Sequence, residues 1–369
     1  MSAIARTDRS LVGTWWWTVD HALLGAIALL AAIGVIMVLA SSPPIARKLE
    51  LPETYFVVKH VVFLGPAALV LIVASLLAPL GVLRAAKAVL AIGLPLLALT
   101  LLFGPEVKGA RRWLPVAGVL LQPSEFVKPA LVVVVGWLLA VRGPLAGFAP
   151  AAGLVAAVVG LLFLQPDMGM GVLVVAVFGA QLLLAGTPWP LLALLGFGGI
   201  GLLAVGYLLL PHVQARIDAF LDPAAEPYQV QAALEAIASG GWFGRGPGEG
   251  VVKFYLPEAH SDFVFATMAE EFGILACLVV VALFAFIVLR GFARLAESPD
   301  RFVLVAGGGL LTQLGLQAFI NMGVNLELLP TKGMTLPFVS YGGSSLLALA
   351  LATGLMLALM RRGARLEEP

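Results

Sequence analysis

The chain has a single cysteine, Cys277, in 369 residues. That excludes an intramolecular disulfide framework, and its apolar surroundings mark it as a small core residue. Charge is scarce too: 12% of residues are Asp, Glu, Lys or Arg, against about 25% in a soluble domain. The formal net charge is only +1. No basic tract of the kind that grips nucleic acid is present, so nucleic acid is not expected as a partner. No cleavable leader is expected. The first apolar run, near 21–40, is too long for a signal-peptide core and is expected to stay as a membrane anchor.

Apolar residues are what the chain has in abundance. They make up 61% of it, and the mean hydropathy is +1.03. That composition excludes a soluble single-core enzyme and a disordered chain. The apolar runs are long and unbroken, which argues against an outer-membrane barrel. Helices are the default, because backbone in lipid must satisfy its own hydrogen bonds. The sequence predicts an all-α polytopic membrane protein with about ten transmembrane helices: 21–40, 56–78, 84–103, 124–141, 147–164, 168–186, 188–210, 262–290, 302–325 and 336–360. The expected organisation is a tail over 1–20, one membrane domain over 21–360 and a second tail over 361–369.

Ten spans put both tails on one side. Placing them in the cytoplasm leaves half of the 22 basic residues on each face, so the basic count alone does not orient the chain. The acidic residues gather outside and support that placement weakly. Most connections are short. The exception is 211–261 between spans 7 and 8, expected to be extracytoplasmic. Loops of that length tend to be functional or disordered. This one begins His212-Val213-Gln214-Ala215-Arg216-Ile217, has a helical stretch near 226–239, and then turns glycine-rich over 240–250. The glycines are not a dinucleotide loop, since no strand precedes them.

Four polar segments carry the candidate chemistry. In Leu256-Pro257-Glu258-Ala259-His260-Ser261-Asp262-Phe263, three ionisable residues stand at alternate positions at the mouth of an apolar span. Such groups are costly at membrane depth and tend to mark function. Asp262 suits a general base; its plainer role is to cap span 8. A metal site from Glu258, His260 and Asp262 is a weaker reading. Glu270 and Glu271, inside span 8, need partners or protons, and an ion pair within the bundle is the simplest answer. The second segment holds Arg111, Arg112 and Trp113, then Gln122-Pro123-Ser124-Glu125-Phe126-Val127-Lys128. Ser124 is a plausible cap, and Lys128 can pair with Glu125 three residues back. Alternatively the arginines form a cationic cluster for a phosphate or diphosphate. The third is Gln165-Pro166-Asp167-Met168-Gly169, where Asp167 either caps span 6 or joins a polar cavity. The fourth runs over 329–345, with Lys332, Ser340 and many Pro, Gly and hydroxyl residues. Irregular backbone at that depth has to be buried in protein or line a cavity. If these segments converge, the cavity suits an anionic lipid-linked substrate or a transported anion.

Segments 109–113, 122–128, 165–169, 256–265 and 329–345 together resemble the signature segments of the SEDS family (shape, elongation, division, sporulation). The resemblance runs in order from about residue 20 to 360. The N-terminal Arg6-Thr7-Asp8-Arg9-Ser10, Trp15-Trp16-Trp17, the 244–250 stretch and 331–337 resemble the division-type branch, with the elongation type as runner-up. Gln165 stands where Glu is also common in the family, and Ser261 where Thr is more usual. The resemblance implies a peptidoglycan glycosyltransferase that polymerises lipid II at the outer face of the inner membrane. The acceptor hydroxyl would attack the anomeric carbon with inversion, and the family's essential external-loop aspartate falls on Asp262. Substrate contacts are expected from Arg111, Arg112, Gln122, Glu125, Lys128, Asp167, His260, Lys332 and Ser340. No organic cofactor is implied; a divalent cation, magnesium or manganese, could neutralise the diphosphate. Expected partners are membrane lipids, a class B penicillin-binding protein acting as septal transpeptidase, and division regulators. The competing functions are a lipid II flippase and a non-catalytic division scaffold. A flippase needs a cationic path across the bilayer, yet the inner halves of the spans carry almost no charge.

Overall fold

The computed structural model describes residues 10–107, 109–116, 118–209, 214, 218, 228–330 and 333–364. Lys332, His212 and most of the segment between 210 and 227 lie outside the described residues. The helices are α1 (Leu11–Thr18), α2 (His21–Ser41), α3 (Pro43–Lys48), α4 (Tyr55–Ser75), α5 (Pro79–Phe103), α6 (Pro123–Ala146) and α7 (Phe148–Leu164). They continue with α8 (Met168–Leu184), α9 (Trp189–Leu209), α10 (Tyr228–Gly240), α11 (Val264–Ala296), α12 (Arg301–Asn325) and α13 (Gly343–Leu359). Six of them, α2, α4, α5, α6, α11 and α12, are long and apolar enough to cross a bilayer. Shorter apolar helices are α7, α8, the 189–199 part of α9, and α13. Seventeen-residue helices such as α7, α8 and α13 sit at the lower limit for a span.

The bundle is built around α6 and α12. Within their most apolar stretches 56% and 67% of residues are buried, against 22% for α4, which therefore presents most of its surface to lipid. Close crossing needs small residues. A Cβ on Gly136 of α6 would fall 2.8 Å from the Ala306 backbone of α12. At one end Asp20 caps α2 by accepting from the Ala22 and Leu23 amides. Its carboxylate also receives Arg290 at 3.0 Å and Arg294 at 2.9 Å from α11. Burial works to raise the Asp20 pKa, but these donors outweigh it and hold the carboxyl below its ordinary value.

Four features depart from the sequence expectation. Residues 11–18, within the expected N-terminal tail, are helical, and the Trp15 indole donates to Ser75 Oγ at 2.9 Å. A two-stranded hairpin, β1 (Leu114–Val116) and β2 (Val119–Leu121), interrupts the all-α pattern. Its two-residue turn contains Gly118 at φ 78°, the geometry such hairpins favour. Span 8 starts at Val264 rather than 262 and is broken at Gly273, φ 79°. Span 10 starts at Gly343 rather than 336.

The break at Gly273 explains the glycine-rich loop. Breaking a helix frees carbonyls on one side and amides on the other. Here the Glu270 and Glu271 carbonyls accept from Arg245 N (2.9 Å) and Gly246 N (3.0 Å). Ile274 N and Leu275 N donate to Gly241 O (2.9 Å) and Trp242 O (3.3 Å). The contact is too close for side chains: a Cβ on Gly244, itself at φ 80°, would lie 2.2 Å from Glu271 O. The Glu270 carboxylate takes the amides of Val251, Val252 and Lys253 at 2.6, 2.7 and 3.1 Å. Glu271 pairs with the buried Lys253 ammonium and accepts from Gly248 N. The two carboxylates are thus partnered within the bundle and fasten the loop to a stub, 264–272, ahead of the main part of α11.

Candidate active site

A cavity of about 720 Å³ opens at the end of the bundle where α5 finishes and α6 and α13 begin. It is walled by the hairpin segment, the start of α6, the 258–262 turn and the irregular stretch before α13. Arg112, Gln122, Glu125, His260 and Asp262 line it. Three of the four polar segments therefore contribute lining residues, and Asp167 of the remaining one reaches the wall through Arg112. Lys59, Trp113, Glu258 and Tyr341 also line it; of these, sequence reasoning missed Lys59 and Tyr341.

Asp262 is held from behind rather than by a helix cap. Residue 263, not 262, occupies the cap position of α11, without a side-chain bond. The Asp262 carbonyl accepts from Asn321 Nδ2 and Asn325 Nδ2, both at 2.9 Å. Asn325 Oδ1 accepts from Ala266 N at 3.0 Å, so it also secures the first turn of the stub. Its carboxylate lies beside Gly333, where a Cβ would come 3.4 Å from Oδ2. The neighbouring turn is fixed by Glu258, which adopts φ 55° and whose carbonyl accepts from Ser261 N and Phe263 N. His260 packs its ring against Phe56 (5.2 Å) and Tyr341 (5.4 Å).

The stretch before α13 is irregular because other elements supply its hydrogen bonds. Asn321 donates to Met334 O (2.6 Å) and Gln317 to Thr335 O (3.1 Å). Ser340 Oγ accepts from Leu336 N at 2.8 Å and donates to Ser261 O at 2.5 Å. Tyr341 N donates to His260 O at 2.9 Å. Met334, Leu336, Phe338 and Val339 are all buried, so this backbone is enclosed by protein. Ser340 therefore braces the two walls of the site from behind and is not part of the cavity lining.

The basic residues divide. Arg112 lines the cavity and is tethered to the 165–167 turn: Nε donates to Gln165 O (3.3 Å), Nη2 to Pro166 O (2.5 Å), and Asp167 lies 3.7 Å away. Asp167 caps α8 through Met170 N at 3.5 Å. Burial pushes its carboxyl above the ordinary value, against the opposing Arg112 charge. Arg111 stands apart: its side chain is half exposed, faces Glu106 at 3.7 Å and is not among the residues that line the cavity. Lys128 lies behind the wall, 2% exposed. It pairs with Glu125 at 3.0 Å and reaches Met170 Sδ at 3.2 Å and Gln317 Oε1 at 3.5 Å. Ser124 does not cap α6; that position belongs to Gln122.

Sequence reasoning missed the amide face of α12. Gln313, Gln317, Asn321 and Asn325 recur every four residues and are all buried. That spacing puts them on one stripe of a helix, and the three from Gln317 on support the 262 and 334–335 backbones. Their regular recurrence in an apolar helix was the available signal. No group of three or more His, Cys, Asp or Glu side chains suited to a metal ion occurs among the described residues.

A polytopic helical bundle whose long helices break at Gly143 and Gly273, with a buried irregular stretch and a cavity lined by both carboxylates and a guanidinium at one end, defines the class of an integral membrane protein with a polar site at one end of its helices. The chain belongs to the cell cycle protein family of FtsW, RodA and SpoVE, whose model matches residues 20–364. A Caulobacter vibrioides protein named "Probable peptidoglycan glycosyltransferase FtsW" is 43% identical over 98% of this chain and 94% of its own. A Halomonas elongata protein of the same name is 39% identical over 100% and 98%. Among solved structures, a chain of a peptidoglycan synthase complex that coordinates polymerization and crosslinking superposes with a TM-score of 0.78. It is 30% identical and matches 94% of this chain and 98% of its own. The Thermus thermophilus rod shape determining protein RodA gives a TM-score of 0.70 at 28% identity, over 94% and 97%.

Proposed function

We propose that this protein is an inverting peptidoglycan glycosyltransferase that polymerises lipid II, serving septal wall synthesis in cell division. The observation that carries this reading is one cavity lined by both Asp262 and Arg112, in a chain whose curated relatives bear the name FtsW. Asp262 is the general base. It takes the proton from the acceptor sugar's hydroxyl as that oxygen attacks the anomeric carbon of the donor, and the lipid diphosphate leaves from the opposite face. Arg112 receives the departing diphosphate, as a guanidinium can with two parallel hydrogen bonds. Glu125 and Gln122 form the adjoining wall, and buried Lys128 holds Glu125 in place. His260 and Tyr341 offer an aromatic face to a sugar ring. Any magnesium or manganese ion arrives with the diphosphate, not in a protein-built ligand set.

The remaining readings follow from the same assignment. Both termini lie in the cytoplasm and the cavity faces the periplasm, where lipid II is consumed. A class B penicillin-binding protein is the partner, consistent with the synthase-complex relative, and division regulators act on the pair. The flippase reading is weaker, because every lining residue of the cavity comes from one end of the bundle.

The test is polymerisation of labelled lipid II by purified protein, with and without its transpeptidase, comparing wild type with Asp262→Asn. Glycan ladders from the wild type alone support the assignment. Equal ladders from both remove Asp262 from the chemistry. No ladder from either, with the partner present, overturns the transferase reading.

A further inference from the structure

A second polar cavity lies at the opposite end of the bundle, where α4 and α13 finish and α5 begins. It has a volume of about 360 Å³ and is lined by Thr14, Thr18, Pro79, Leu80, Arg361 and Arg362, among others. The function proposed above makes no use of it. Arg361 is half-buried; Nη2 donates to Leu77 O at 2.7 Å, while Nε is buried and has no partner among the described residues. Arg362 is exposed, and its backbone amide donates to Thr18 O at 3.3 Å. The wall at Pro79 and Leu80 is the first turn of a 25-residue helix; Pro79 has no N–H, but the Leu80 and Gly81 amides that follow have no partner in the helix and carry its positive end. A guanidinium donor without a partner, a second guanidinium, and a helix amino end converge on one hollow.

The depth of this hollow names its ligand. It is flanked by α1, whose Trp15, Trp16 and Trp17 precede the first long apolar helix. Tryptophans of that kind sit at the level of lipid headgroups. Trp16 is further fixed edge-on to His21 at 4.6 Å. The nearby carboxylate, Asp20, is already engaged by Arg290 and Arg294 and does not neutralise the arginines of the cavity. We infer that this cavity binds the phosphate of an anionic phospholipid, with Arg361 and Arg362 as the donors. Arg361 lines the cavity and turns its guanidinium so that the sealed, unpartnered Nε meets a phosphate oxygen, Arg362 swings in from the rim, and the Thr14 and Thr18 hydroxyls border the ester. The acyl chains run along the outer surface of α5.

The test uses the full chain in detergent, titrated with phosphatidylglycerol, phosphatidylcholine or inorganic phosphate, and read by native mass spectrometry. Retention of phosphatidylglycerol should exceed that of phosphatidylcholine. Arg361→Gln with Arg362→Gln should lower it by about tenfold to thirtyfold, the scale set by two cations at a charged surface. Arg362→Gln alone alters an exposed side chain and leaves folding intact, so it should give an intermediate loss. If Arg361→Gln fails to fold, Leu80→Asp, which sets a carboxylate into the wall, should abolish the preference instead. Displacement of the lipid by millimolar inorganic phosphate would assign the site to soluble phosphate and overturn the lipid reading. Equal retention of both lipids by wild type, or unchanged retention by Arg362→Gln and Leu80→Asp, would overturn the site.

Discussion

At the scale of single residues, adjacent arginines have different fates. Arg112 is anchored at the cavity by two carbonyls and Asp167, whereas Arg111 faces Glu106 in half-exposed surroundings. Arg112→Ala should lower kcat/KM for lipid II about tenfold to a hundredfold, as loss of a charge-assisted contact does. Arg111→Ala should stay within about twofold, as surface ion pairs are weak. Steady-state polymerisation by both variants checks this, and equal losses would contradict the division of roles. For Asp262→Asn the expected drop is about 10²–10⁴-fold, with the backbone of residue 262 still held through its carbonyl by Asn321 and Asn325. The sequence marked Arg111 and Arg112 together because composition and spacing carry no direction. Only the hairpin that follows decides which of the two turns inward. Asp262 was legible as a residue of the cavity wall for the opposite reason: a carboxylate at the mouth of an apolar run either caps the helix or joins a polar cavity, and the cap lies at residue 263.

At the scale of elements, the chain's two irregular joints are maintained from elsewhere. Asn325→Leu removes the donor to Asp262 O and the acceptor of Ala266 N. It should cut kcat about tenfold while leaving KM within about twofold, because the base is misplaced but the binding wall is not. Kinetics at saturating lipid II decides it; an unchanged kcat would deny Asn325 any part in positioning residue 262. Lys253→Ala leaves Glu271 buried without its counter-ion, a loss of about 3–5 kcal/mol. It should lower the Tm, and Lys253→Met combined with Glu271→Gln should restore much of it. The apolar runs made the helices legible to within a few residues at most ends. The end at 296 and the start at 343 were not, because hydropathy reports what lipid tolerates, not where a chain turns. The turn before α13 depends on Phe338 at φ 63° and on bonds to residues 260, 261, 317 and 321, all distant in sequence. Gly34 is part of the same fit: its missing Cβ would sit 2.0 Å from Phe338 O.

At the scale of the whole molecule, Asp20 ties the first long helix to the far end of α11. Asp20→Asn should cost about 2–3 kcal/mol. The sign of its pH dependence follows from the lowered pKa. A carboxylate held below its ordinary value stabilises the fold above that value and ceases to as the pH drops through the folded one. The stability gap between wild type and Asp20→Asn should therefore hold from neutral pH to about 5 and close only in stronger acid, as thermal unfolding across pH would register. The break at Gly273 also bears on how the protein is made. Beyond it, from 274, the helix carries no charge until Arg290. Glu270 and Glu271, which an inserting machinery would resist, stand before the break. Insertion can thus finish before residues 264–272 have folded, and those residues dock only when 240–253 arrives to accept the two carboxylates. The Lys253→Ala protein would still insert, yet a cysteine placed at Thr267 would remain open to aqueous thiol reagents. The chain can take its place in the membrane as an inert passenger and acquire its reactive end afterwards.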